Sequence, residues 1–163
     1  MGVTPDQQHH KEALRILGVA LRFHRVGDLR RAIYHYRRSI ELAPTAEAHT
    51  FLGWAYSFQG DLERAVVECR RAIGIDPSLG NPYNDIGAYL IELGRVEEAV
   101  DWLERALEAP RYESYCYPHY HLGRALEQLG RRGEAIRSYV RALEEDPSFI
   151  PARLALTKLK KSA

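Results

Sequence analysis

Apolar residues recur three and four positions apart along most of the chain, which is the spacing of amphipathic helices. After Gly60, for example, Leu62, Ala65, Cys69 and Ala72 fall on one helix face. Charged and polar residues fill most of the positions between them. The pattern predicts a series of short helices, each with an apolar face to bury against a neighbour.

The same pattern returns every 33 to 36 residues. Each copy has a glycine where a first helix should end, and these are Gly27, Gly60, Gly94 and Gly130. Glycine readily adopts the left-handed conformation that ends a helix, and Asp28 and Asp61 directly after two of them are typical N-caps. Each copy is therefore predicted to form a helix–turn–helix hairpin, and stacked copies bury a continuous core.

Small residues and prolines occupy fixed places in the repeat. Three first helices carry the pairs Leu52-Gly53, Ile86-Gly87 and Leu122-Gly123, and prolines follow three second helices at Pro44, Pro77 and Pro147. In order and spacing these residues resemble the tetratricopeptide repeat, or TPR. The resemblance implies an all-α, right-handed solenoid of four helical hairpins in a single domain, with a C-terminal capping helix. The predicted repeats span about residues 13–45, 46–79, 80–115 and 116–149, and the cap about 149–161.

Two segments carry a narrower resemblance. Asn81–Gly87 and Ala109–Tyr112 are similar to segments of small bacterial TPR proteins and, more loosely, to type IV pilus pilotins. This resemblance implies a bacterial protein. It also implies pilus assembly as one alternative function.

Composition excludes several function classes. Lys and Arg number 23 against 22 Asp and Glu, a net charge of +1 that argues against a DNA-binding protein. No apolar run approaches the roughly 20 residues of a transmembrane helix, and the polar N-terminus does not resemble a signal peptide. Two cysteines, Cys69 and Cys116, are too few for a disulfide scaffold. We therefore expect a cytoplasmic protein.

Catalytic and metal-binding residues form no recognisable constellation. Cys116, His119 and His121 are the densest group of metal-binding residue types, but on a helix His121 points about 200° away from His119. Zinc needs three or four convergent ligands. The glycines are spaced one per helix end and form no phosphate-binding loop, and no motif pairs a nucleophile with a base. We expect no enzyme activity, no metal and no cofactor.

The first helix of each repeat carries a second stripe of residues beside the packing face. In TPR proteins this stripe lines the concave groove, so the resemblance implies a protein-binding surface there. Aromatic side chains and arginine are the residues that anchor protein interfaces. The predicted function is a non-catalytic adaptor that binds a peptide or helix of a partner protein. The predicted groove residues are Leu17, Leu21, Thr50, Trp54, Phe58, Asn81, Asn84, Tyr117, Tyr120 and Arg124.

Other interpretations of these features remain open. The aromatic residues of the stripe could instead pack on a neighbouring helix or on residues 1–12. The terminal helices could dock into a second copy, which would make the protein a self-assembling scaffold. The segment Arg15–Arg38 holds seven arginines and one acid, Asp28. It is either a solvated helical face or a docking surface for an acidic protein, RNA or an anionic membrane.

Overall fold

The computed structural model describes residues 4–161, and its regular structure there consists of nine α-helices and one isolated β-bridge. The all-α prediction is confirmed for these residues. The helices are α1 (Pro5–Arg25), α2 (Leu29–Leu42), α3 (Ala46–Phe58), α4 (Leu62–Ile75), α5 (Asn81–Glu92), α6 (Val96–Glu108), α7 (Cys116–Gln128), α8 (Arg132–Glu145) and α9 (Ile150–Lys161). None of them is long and apolar enough to cross a membrane.

The turns inside the hairpins form as the sequence predicts. The glycine that follows each first helix has a φ between +73° and +82°, which side chains disfavour. Asp28 and Asp61 then cap the second helices, because each carboxylate accepts the backbone N–H three residues ahead at 3.1 Å. These two caps satisfy backbone donors that would otherwise lack partners.

The chain forms two compact units, and the boundary between them falls between Pro77 and Ser78 in the sequence. The prediction of a single domain stays a prediction. The first unit contains the α1–α2 and α3–α4 hairpins, and α3 packs against both helices of the preceding hairpin. Tyr36 and Ala20 are fully buried there, and the Ser39 hydroxyl donates to the Ala13 carbonyl at 2.8 Å. These contacts between α1 and α2 hold the two helices of the first hairpin together.

The second unit contains the α5–α6 and α7–α8 hairpins, with α9 packed on α8. The paired helices approach closely at two glycines of the first helices. A Cβ added at Gly87 would overlap the Leu103 side chain, and one at Gly123 would lie 2.5 Å from the Tyr139 ring. Phe149 and α9 cover the last hairpin, as a capping helix should.

A loop between α6 and α7 gives the second unit its one irregular feature among the described residues. Gly80 N–H donates to the Arg111 carbonyl and Arg111 N–H to the Ser78 carbonyl, both at 3.0 Å, which forms the isolated β-bridge. The buried Tyr112 ring lies directly over Gly80, where any Cβ would clash. The loop thereby covers the start of α5.

One histidine of this unit is held neutral by its surroundings. The Nδ1 atom of His121 is buried and has no hydrogen-bond partner among the described residues. Burial, assisted by the nearby Arg124 charge, lowers the pKa of His121 to about 4. The imidazole therefore stays uncharged in the folded protein at neutral pH.

Replacing Gly87 or Gly123 by alanine should destabilise the protein by about 1–3 kcal/mol, because the added methyl group overpacks a filled contact. Gly18 and Gly74 lie inside α1 and α4 with open space where a Cβ would stand. Alanine at either position should stabilise the protein by about 0.5–1 kcal/mol through better helix propensity. Urea midpoints measure all four variants. Equal urea midpoints for the Gly87→Ala and Gly18→Ala variants would contradict the close approach of α5 and α6 at Gly87.

The free energy of unfolding should fall as the pH drops from about 6.5 towards 4, and part of this loss should come from His121. Between the unfolded pKa of about 6.5 and the folded pKa of about 4, only the unfolded chain binds this proton. The His121 contribution is therefore complete above pH 6.5 and decreases by up to about 3 kcal/mol as the pH falls through this window. Urea unfolding of wild type and His121→Gln across this range measures it. If the free energy of unfolding depended on pH in the same way in wild type and His121→Gln, the imidazole would not be a buried neutral group.

Candidate functional site

The first unit exposes an aromatic stripe on α3. Trp54 and Phe58 lie one helical turn apart, so both point to the same side of the helix. Trp54 is half-buried with its ring 5.1 Å from the Phe51 ring, whereas Phe58 is 72 % exposed. The Phe58 ring meets the His24 ring of α1 edge-on at 5.4 Å. The stripe is therefore supported from beneath and open above.

The groups beneath this stripe are uncharged at neutral pH. His24 Nδ1 and the Tyr36 hydroxyl are hydrogen-bonded at 2.9 Å. Burial lowers the pKa of His24 and raises the pKa of Tyr36 to about 12. The pair gives the exposed aromatic rings a rigid and neutral base.

The other predicted residues of the first unit lie deeper. Leu17 and Thr50 are buried, and the Thr50 hydroxyl donates to the Ala46 carbonyl at 2.8 Å. Leu21 is half-buried on α1, and Leu14 is 48 % exposed one turn before Leu17 and Gly18. The surface of this unit is therefore formed by Leu14, Leu21 and the α3 aromatics, with Leu17 and Thr50 as support.

In the second unit, Tyr117 and Tyr120 have different environments. Tyr117 is 46 % exposed, and its ring meets Phe149 edge-on at 5.0 Å. Tyr120 packs on both Phe149 and Tyr139, with ring centroids 5.5 and 5.9 Å away. The Tyr139 hydroxyl donates to Glu127 at 2.8 Å. Tyr120 thus belongs to the cluster that supports the exposed Tyr117.

Polar side chains of the second unit lie on α5 and α7. Asn84 is buried; its amide donates to Asp85 at 3.3 Å, and its Oδ1 has no partner among the described residues. Arg124 is half-buried and makes a loose ion pair with Glu92 at 3.8 Å. The half-buried Asn81 lines a cavity of about 450 Å³ under the α6–α7 loop.

Sequence reasoning missed two features. The cavity at Asn81 depends on the loop that pairs with Gly80. Its signal in the sequence is the spacing of 36 residues from Gly94 to Gly130, the longest in the repeat. The other is a buried pair of polar side chains in the first unit. His49 Nδ1 lies 2.7 Å from Glu68, which also accepts a hydrogen bond from Arg71 at 2.7 Å. The amphipathic pattern alone does not pair His49 with Glu68.

The predicted residues fall into two groups, and each group lies within one unit. Leu17, Leu21, Thr50, Trp54 and Phe58 lie on α1 and α3 of the first unit. The second unit holds Asn81 and Asn84 on α5, and Tyr117, Tyr120 and Arg124 on α7. That these residues bind a partner stays a prediction.

Metal-binding residue types do not converge within residues 4–161. No group of three His, Cys, Asp or Glu side chains there could hold a metal ion. Cys116 is buried, and burial raises the pKa of its thiol and lowers the pKa of His119.

Family models of the tetratricopeptide repeat match residues 46–79, 83–109 and 116–149, together more than half of the chain. No curated protein sequence matches it.

Solved structures share the fold. PilF of Pseudomonas aeruginosa superposes with a TM-score of 0.87 at 22% identity, covering 94% of this chain and 70% of that chain. PilW, described as a widely conserved type IV pilus biogenesis factor, gives 0.85 at 24% identity over 93% and 70% of the two chains. The first TPR domain of Spaghetti (RPAP3), bound to an HSP90 peptide, gives 0.67 at 23% identity over 72% and 91%.

At these identities the superpositions establish the fold alone. The family-model matches, together with the repeat pattern and the four hairpins, show that this chain belongs to the tetratricopeptide repeat family.

Proposed function

We propose that this chain is a non-catalytic, cytoplasmic adaptor that binds a segment of another protein on the faces of its first helices. The observation that carries the proposal is the exposure of Phe58, 72 % open to solvent beside Trp54 and His24. The fold gains little from a ring this exposed. A partner that covered it would gain about 1.5–3 kcal/mol from burial of the ring.

The second unit offers a similar combination of groups. Tyr117 presents an exposed aromatic ring, and the half-buried Arg124 carries a cation on the same helix, α7. The buried Asn84 of α5 keeps an acceptor, Oδ1, that has no partner among the described residues. Aromatic anchors surrounded by hydrogen-bonding groups are typical of the central residues of protein interfaces. The chemistry of this unit therefore also favours a peptide or a helix as ligand.

The comparisons support this ligand class. The RPAP3 TPR domain is described as bound to an HSP90 peptide. PilW, described as a type IV pilus biogenesis factor, shares the fold. Pilus assembly therefore remains an alternative setting for a protein-binding function.

Self-association is the second candidate function, and α9 favours it. Ile150 and Leu154 lie one turn apart on α9 and are 61 % and 65 % exposed. A second copy could cover this apolar edge. Sedimentation velocity at low and high protein concentration tests this, with Leu154→Glu as the variant that should stay monomeric. A monomer at all concentrations would eliminate this candidate.

Peptides selected on the folded protein from a displayed random library should lose affinity when Trp54, Phe58 or Tyr117 becomes alanine. Truncating an interface anchor costs about 2 kcal/mol or more, which is about thirtyfold in affinity. Fluorescence anisotropy of labelled peptides measures this effect, and circular dichroism verifies that each variant is folded.

Tyr34→Ala is the matched control. Tyr34 is a 60 % exposed aromatic residue on the second helix α2, away from the first-helix stripe. Its removal should change peptide affinity less than twofold if the first helices form the binding surface, because residues outside the interface contribute little. Peptides that bind Phe58→Ala normally and Tyr34→Ala poorly would place binding on the second helices and contradict the proposal.

A further inference from the structure

The turn between α1 and α2 carries an unusual set of exposed side chains. α1 ends at Arg25 and α2 begins at Leu29, so the last turn of one helix meets the first turn of the other. We name this surface the α1–α2 turn edge and define it by Arg22, Arg25, Val26 and Arg30. All four side chains are exposed, and Val26 reaches 76 %. The edge therefore combines three cations with a protruding apolar residue.

The side chains of the three arginines form no close contact inside the fold. Arg22, Arg25 and Arg30 make no side-chain hydrogen bond, ion pair or ring contact with any described residue. Arg22 and Arg25 lie in the last turn of α1, where the helix dipole favours a cation, and the charge of Arg30 interacts with the Asp28 carboxylate at longer range. Arg31, one residue further, differs because it bonds the Asp28 carboxylate at 2.5 Å. Arg30 even lies in the first turn of α2, where the helix dipole disfavours a positive charge. The Asp28 carboxylate at the same helix end is bonded to Arg31, so Arg30 keeps its capacity to pair with an anion from outside the chain.

Apolar surface continues beside these cations. Phe58 ends α3, and its ring contacts His24 in the last turn of α1, so it lies next to the edge. A shallow hollow of about 430 Å³ is lined by Val26, Asp28, Arg30 and Gln59, together with the backbone of the turn. The Asp28 carboxylate in this lining is bonded to Arg31, so Arg30 is the side chain there that offers an unpaired charge to an anion.

We propose that the α1–α2 turn edge binds an anionic membrane surface. Cations near an anionic bilayer are attracted to its lipid headgroups, and an apolar side chain between them enters the interface. Because Val26 protrudes from a turn, it fits a broad surface better than it fits a narrow ligand. The three arginines supply the attraction and Val26 the insertion.

Vesicle sedimentation tests the proposal on the full chain. The protein should sediment with vesicles of phosphatidylcholine and phosphatidylglycerol and stay in solution with phosphatidylcholine alone. Each arginine contributes about fivefold to affinity at such a surface. The triple variant Arg22→Gln, Arg25→Gln, Arg30→Gln should therefore bind roughly 100-fold more weakly. Added salt should weaken wild type more than this variant.

A tryptophan probe reports whether the edge itself enters the interface. Val26→Trp should shift its fluorescence to shorter wavelength when vesicles containing phosphatidylglycerol are added, and should not respond to phosphatidylcholine alone. The same protein without the substitution corrects for the signals of Trp54 and Trp102. No additional shift in the Val26→Trp protein would overturn the assignment of this edge.

A second triple variant separates the edge from the total charge. Lys158→Gln, Lys160→Gln and Lys161→Gln remove the same charge from α9, and this protein should bind vesicles as wild type does. Equal losses in both triple variants would show that net charge alone drives binding and overturn the proposal. Tighter binding to polyglutamate or single-stranded RNA than to the vesicles would assign the arginines to an acidic protein or a nucleic acid, and would overturn it as well.

Discussion

The structure depends on how closely the two helices of a hairpin can approach. At Gly87 and Gly123 the space of a missing side chain is filled by Leu103 and by Tyr139 of the paired helix. Interiors packed at this density tolerate no added methyl group without displacement. Because the second helix fills one side of each first helix, another side of that helix is left to face a ligand.

This constraint explains why the candidate binding residues differ so much in exposure. The outer rings of Phe58 and Tyr117 meet His24 and Phe149 edge-on. Trp54 and Tyr120 lie further in and pack on Phe51 and Phe149. The buried residues of each stripe thus give rigidity, and the outermost ones offer contact area. Rigid aromatic anchors lose little conformational entropy on binding, which increases the affinity that a given contact area provides.

Much of the fold was predictable because it is specified locally. A glycine at a left-handed position followed by an aspartate cap specifies a turn with few residues, as at Gly27 and Asp28. Side-chain exposure was less predictable, since Leu17 and Phe58 occupy similar stripes and yet one is buried and the other open.

Features that depend on distant residues were not predictable from the pattern. The bridge between Leu79 and Arg111 joins the segment before α5 to the loop after α6. The pairing of His49 with Glu68 joins two helices. Periodicity reports which face of a helix is buried, but it does not report which polar group lies opposite. These pairings come from tertiary packing.

The central claim is that the first helices provide the protein-binding surface. Amide chemical-shift mapping with a selected peptide tests it most directly, because every helix is observed in one experiment. The account predicts that the perturbed amides cluster on α1 and α3, or on α5 and α7, around Phe58 or Tyr117. Perturbations confined to α2, α4, α6 and α8 would contradict it.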